Sequence, residues 1–129
     1  MKGADHERHV MTDRIADFFA AWGETDAAKR RATVAACMAG EFVYTDPRSD
    51  GRLTTLDQLV DYIGMFSRMA PGWTAGAIET QTRDGFARVL VGFGDGQDWS
   101  QHGTYFAASN ATGQIATLAG FVGAGGLPQ

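Results

Sequence analysis

The stretch best suited to chemistry is "EFVYTDPRSDGR", Glu41 to Arg52. Phe42, Tyr44 and Asp46 alternate with Val43 and Thr45, the period of a strand, so Asp46 points to the side that Phe42 and Tyr44 face. Pro47 fixes its own φ and biases Asp46 toward extended backbone, and "RSDG" makes a second turn ending at Gly51. Two readings of Asp46 follow. It can be the side-chain acceptor that shapes the proline turn, a common use of Asp. It can also be a partly desolvated carboxylate held against two rings. Desolvation favours the protonated form, the direction that a general base working near neutral pH requires.

Other residues offer less. His102 titrates near physiological pH, but strand alternation sets it opposite Gln101, Gly103 and Tyr105, toward solvent or a partner subunit if those three face a pocket. His6 and His9 could share a metal across one helical turn, yet no third ligand is near and the terminus reads as mobile, so no metal is expected. Cys37 is the single cysteine, which excludes an intrachain disulfide; inside a helix beside Met38 it reads as a small buried hydrophobe. "GFGDGQ", Gly92 to Gln97, has spaced glycines but no following helix to receive a phosphate. Asp95 and Asp98 lack the remaining ligands and the closing Glu of a calcium loop. Ser100 and Ser109 have no nucleophile context, and no cofactor is expected.

The elements that must position Asp46 are legible in the periodicity. Met11, Ile15, Phe18, Phe19 and Trp22 recur at helical spacing, and Gly23 ends that helix. Asp26 caps a second helix running to about Met38, with Gly40 as its stop. Thr55 followed by Gln58 reads as a capping box, and Leu56, Leu59, Val60, Ile63 and Phe66 form the stripe of a third helix, closed by Pro71 and Gly72. The remainder reads as four antiparallel strands. Asp84-Gly85 and Asp95-Gly96 mark hairpin turns, and "NATG" marks a third turn before "QIATLAGFVG". Helices early and a meander late give an α+β architecture, with helices packed on one face of a curved sheet.

Bulk properties bound the function. At 129 residues the chain is one ordinary domain, able to bury roughly two-thirds of its unfolded surface. Three segments are expected: a mobile stretch over 1–10, a domain over 11–123 and a flexible tail over 124–129. The net charge is -4 and no basic run clusters on one face, so nucleic acid is not an expected partner. No signal core and no apolar run of membrane-spanning length is present, and the expected location is cytoplasmic, away from membranes.

"FFAAWGETDAAKRRATVAACMAGEFVYTDP", "GRLTTLDQLVDYIGMF", "PG" and "GQIATLAGFV" together resemble the SnoaL-like proteins, over about Met11 to Val122. Those proteins share a cone-shaped, cystatin-like α+β fold with ketosteroid isomerase and nuclear transport factor 2: three helices on a curved, mainly antiparallel sheet. The resemblance implies a pocket between helices and concave sheet, and a homodimer formed through the sheet's other face. It places Asp46 at the position of the isomerase base. Two departures stand out, with Phe18 in place of a helix-one Tyr and Tyr105 where a protonated Asp would donate to an enolate oxygen. No Asp or Glu follows Asp98, although SnoaL-type cyclases commonly draw an acid/base carboxylate from the later strands.

The expectation is therefore a cone that binds a small, mostly apolar organic molecule. Phe18, Trp22, Tyr44, Ile63, Phe66 and Tyr105 would wall it, Trp99 or Gln101 would assist, and Asp46 would be the main polar contact. As an enzyme it would use Asp46 as base and Tyr105 as oxyanion donor in an isomerase- or cyclase-type proton transfer. The alternative is a non-catalytic dimerisation or interaction module whose cone is plugged by Trp22, Phe66 and Met69.

Overall fold

The computed structural model describes the backbone of residues 2–125 and side chains from residue 10 onward. The His6 and His9 side chains and residues 126–129 lie outside the described residues. Helix α1 (Lys2–Ala20) runs into a 3-10 turn (Ala21–Gly23), followed by α2 (Ala27–Cys37), β1 (Met38–Thr45) and α3 (Leu56–Met69). Four strands complete the chain: β2 (Thr74–Arg83), β3 (Phe86–Gly94), β4 (Trp99–Ser109) and β5 (Ile115–Val122). They form one sheet in the order β1-β5-β4-β3-β2. β1 lies parallel to β5, and the other pairings are antiparallel.

Local chemistry explains most boundaries. The Asp26 side chain accepts from Lys29 N–H at 3.0 Å and starts α2. Thr55 and Gln58 exchange the two hydrogen bonds of a capping box at the start of α3. Asp84 and Gly85 both have positive φ, 52° and 80°, as the two-residue turn between right-twisted strands requires.

Three boundaries differ from expectation. α2 ends at Cys37, because Met38 is already extended (φ -92°, ψ 145°) and pairs with Ile115; Gly40 thus lies within β1 and is not the helix stop. α1 begins at Lys2, ahead of the expected start at Met11. The Asp95-Gly96 connection is longer than two residues: β3 ends at Gly94 and β4 starts at Trp99, while the Asp95 carboxylate accepts the Gln97 and Asp98 N–H groups.

The helices cover one face of the sheet. Met11, Ile15, Phe18, Phe19 and Trp22 are all buried, and so are Val89, Val91, Tyr105, Ala107 and Leu118 from the sheet below. Burying each such large side chain contributes about 1.5–3 kcal/mol, so this layer dominates stability. Arg30 is buried as well, its guanidinium donating to the Glu24 carbonyl at 2.6 Å and 3.2 Å, which ties α2 to the turn before it. Burial, followed by the charge of Asp17, pushes the Cys37 thiol up to about 11, which leaves it an inert core residue. Register shifts in β2, β3 and β4 pairings add local twist to the sheet.

Candidate functional site

β1 delivers Tyr44 to the inner face and ends one residue before Asp46. Tyr44 exchanges backbone hydrogen bonds with Leu53, at 2.9 Å and 2.8 Å, which closes the 46–52 turn and presents Asp46 at its corner. The two carboxylate oxygens face different ways. Oδ1 accepts the backbone N–H groups of Arg48 and Ser49, each at 2.8 Å, which is the turn-shaping role. Oδ2 accepts the Tyr44 hydroxyl at 2.6 Å, and the Tyr62 hydroxyl lies 2.7 Å from both oxygens. A third hydroxyl, that of Tyr105, is 3.2 Å from the Tyr44 hydroxyl.

The chain has three tyrosines, so all of them meet here. Burial raises each phenol's pKa above the ordinary value, and the charge of Asp46 raises it further. All three therefore remain protonated at neutral pH and serve as donors. Tyr105 is seated by two glycines. Its ring lies so close over Gly103 and Gly120 that a Cβ at Gly120 would come within 2.5 Å of the ring. Phe19 packs edge-on from α1, with centroids 4.9 Å apart.

A cavity of about 490 Å³ opens beside this cluster. Of the expected residues, Trp22, Asp46, Phe66, Gln101 and Tyr105 border it. So do Tyr62, Phe93 and Arg48, which sequence reasoning did not select. Trp22 and Phe66 meet edge-to-face at 5.1 Å and Phe93 lies 5.9 Å from Phe66, which gives the cavity an aromatic wall. Arg48 reaches from the proline turn to donate to Gln101 Oε1 at 3.2 Å. His102 is exposed and borders the same cavity.

Three expected wall residues and the assisting Trp99 lie elsewhere. Phe18 and Ile63 are wholly buried in the core and do not border the cavity. Tyr44 stands behind the wall, with only its hydroxyl engaged in the cluster. Trp99 is on the other side of the sheet. Phe93 pairs with Gln101 but Gly94 pairs with Trp99, so Ser100 is an extra residue that reverses the alternation, and the Trp99 indole lies over Gly76 and Gly92. Met69, the expected plug, is 79% exposed and does not border the cavity. A signal for Tyr62 was available: it sits three residues after Leu59 and four before Phe66, at the edge of the α3 stripe.

No family model matches the chain, and no curated protein matches it. Solved structures do. A candidate isomerase of the SnoaL-like family from Agrobacterium tumefaciens superposes with a TM-score of 0.78 at 21% identity, covering 89% of this chain and 98% of that one. A candidate ketosteroid isomerase from Kribbella flavida gives 0.65 at 16% identity, over 94% and 83% of the two chains. A candidate polyketide cyclase from Sinorhizobium meliloti gives 0.65 at 17%, over 84% and 93%. The chain thus has the SnoaL-like, nuclear transport factor 2-like cone fold, three helices on a five-stranded mixed sheet. Activity is a matter of the site and does not follow from the fold.

Proposed function

We propose that this protein binds a small, mostly apolar organic molecule in the cavity beside Asp46, and that Asp46 acts on it as a general base in an isomerase- or cyclase-type proton transfer. The observation that carries this reading is the juxtaposition of a hydrogen-bonded carboxylate and every tyrosine of the chain with an aromatic-walled cavity large enough for a fused-ring ligand. The isomerase and cyclase descriptions of structures with the same fold support it at the level of reaction type. Tyr105 is the donor nearest in kind to the group that would face a developing oxyanion. A thermal-shift screen with sterols, aromatic polyketides and terpenoids, run on the native protein and on Asp46→Asn, tests the reading. A ligand that stabilises the native protein and loses most of that effect in the variant is expected; equal shifts in both would remove Asp46 from recognition.

One observation favours an association role alongside binding. Phe86 and Phe106 stack on the outer face with centroids 5.7 Å apart, and with Trp99 they remain exposed. An apolar sheet face of this kind fits a second copy of the chain, so a homodimer is the expected assembly. Sedimentation of the native protein and of Phe106→Lys checks it, with the variant expected to run as a monomer.

A further inference from the structure

The hydroxyl protons of the site can be counted. A phenol has one proton to give, and an ionised carboxylate only accepts. Tyr62 gives its proton to Asp46 at 2.7 Å and Tyr44 gives its proton to Asp46 Oδ2 at 2.6 Å, while backbone N–H groups of Arg48 and Ser49 complete the shell. The 3.2 Å contact between the Tyr44 and Tyr105 hydroxyls must then be donated by Tyr105, because Tyr44 has no second proton. The row runs from Tyr105 through Tyr44 to Asp46. In this state Tyr105 meets the cavity with a lone pair, whereas an oxyanion would need its proton.

We infer that Tyr44 is a positioning residue that couples the base to the donor: proton uptake by Asp46 reverses the row and frees the Tyr105 proton for a ligand oxygen. The inference rests on the reading of Asp46 as a base. The substrate is the one the isomerase reading already implies, a carbonyl compound with an acidic C–H beside the carbonyl, placed so that Asp46 and Tyr105 reach the two ends of the same conjugated unit. The Tyr62 hydroxyl, equally close to both oxygens, keeps to Oδ1 and opens Oδ2; the C–H bond breaks and its proton bonds to Asp46 Oδ2. The electron pair forms the carbon–carbon double bond, and the carbonyl electrons move to oxygen. The new Asp46 hydroxyl donates to Tyr44, the Tyr44 hydroxyl turns to Tyr105, and the Tyr105 hydroxyl turns to the enolate oxygen. Only one proton changes hands, from carbon to Asp46; the tyrosines rotate their O–H bonds, nothing is oxidised, and reprotonation at another carbon runs the sequence backward.

Burial makes this coupling specific to Tyr44. Its side chain has no exposure, so no solvent molecule takes over its place between Asp46 and Tyr105, and low-dielectric surroundings strengthen each bond in the row. Tyr62 stays within 2.7 Å of both carboxylate oxygens, so it keeps the carboxyl group in place whichever oxygen holds the proton.

Two measurements test the coupling. Labelling tyrosine with carbon-13 at Cζ gives three resonances, one per tyrosine, in the unliganded protein. Asp46→Asn is expected to shift the Tyr105 resonance, although the two side chains share no hydrogen bond, and the response is expected to collapse in a Tyr44→Phe background. Should Tyr44→Phe fail to fold, Tyr105→Phe reads the row from its other end, with the Tyr44 resonance expected to move. Binding of 2-naphthol, whose ring and hydroxyl imitate an enol, gives the second readout. The combined effect of Asp46→Asn and Tyr105→Phe on its affinity is expected to depart roughly tenfold from the product of the single effects with Tyr44 present, and to return to that product without it. A Tyr105 resonance indifferent to Asp46→Asn, a Tyr44 resonance indifferent to Tyr105→Phe, or a departure that survives Tyr44→Phe overturns the coupling. Absence of 2-naphthol binding in every form, with the carbon-13 response intact, would instead count against the substrate reading and leave the coupling standing.

Discussion

The two faces of the sheet use the same device to different ends. On the inner face the Tyr105 ring lies over Gly103 and Gly120; on the outer face the Trp99 indole lies over Gly76 and Gly92. Both rings belong to β4, and both need glycines beneath them because a Cβ would occupy the ring's place. Tyr105 is 4% exposed and roofed by α1, whereas Trp99 is 40% exposed with no helix above it among the described residues. Enclosure, and not residue type, separates a ring that can hold a hydroxyl within a site from one that offers a sticky surface. The inner ring cannot move without breaking a hydrogen-bonded row, while the outer ring can swing into water.

The largest effect that separates the faces is expected from Gly120→Ala. Its Cβ would press on a buried ring that has nowhere to go, so overpacking should cost about 3 kcal/mol, read as a lower thermal midpoint, and should shift the Tyr105 resonance. Asp46→Asn comes next, at about 2 kcal/mol. The turn survives, because an amide oxygen still accepts from Arg48 and Ser49, but an NH₂ group then meets two tyrosine hydroxyls that also need acceptors. Gly92→Ala should cost about 1 kcal/mol or less, because Trp99 yields into solvent; a red shift of tryptophan emission would report the move. A cost as large as that of Gly120→Ala would show that the outer indole is also locked. Phe106→Ala, which loses one exposed stacked pair, should alter monomer stability least, by about 0.5–1 kcal/mol in chemical denaturation.

Alkaline titration sharpens the same contrast. All three tyrosines have folded pKa values raised above 10.0 by burial first. The unfolded chain therefore releases these protons near pH 10 while the folded chain retains them, so the tyrosines' contribution to stability is constant below that pH and falls as pH rises beyond it. Tyrosinate absorbance is expected to appear together with unfolding. A separate early step, one tyrosine ionising in the folded protein, would mean that the row is open to solvent.

Where a feature depends on neighbours in the chain, it could be read in advance. The Asp26 cap, the Thr55–Gln58 box and the Asp84-Gly85 turn each close within a few residues, so side-chain chemistry alone specifies them. The α1 stripe gave the core, and the Asp-Pro corner gave Asp46. The misplacements have physical causes. Trp99 lies away from the cavity because a single bulged residue, Ser100, reverses every side chain beyond it without leaving a mark on composition. Tyr62 escaped because it sits at the edge of the α3 stripe, where periodicity cannot tell a core ring from a ring at a cavity.

The residues themselves established an α+β chain with helices packed on one face of a curved sheet, with Asp46 at a turn on an aromatic strand face and a proline corner to shape it. Hydrophobic period, caps and turn chemistry act over short spans and are written in order. What the tertiary structure decided is the company Asp46 keeps. Tyr44 and Tyr105 are 61 positions apart and Tyr62 comes from a helix, yet their hydroxyls meet because parallel pairing of β1 with β5 brings the strand that carries Tyr44 across to the meander that carries Tyr105. Hydrogen-bond direction then depends on how many protons that company can give, a quantity that exists only once the groups are assembled.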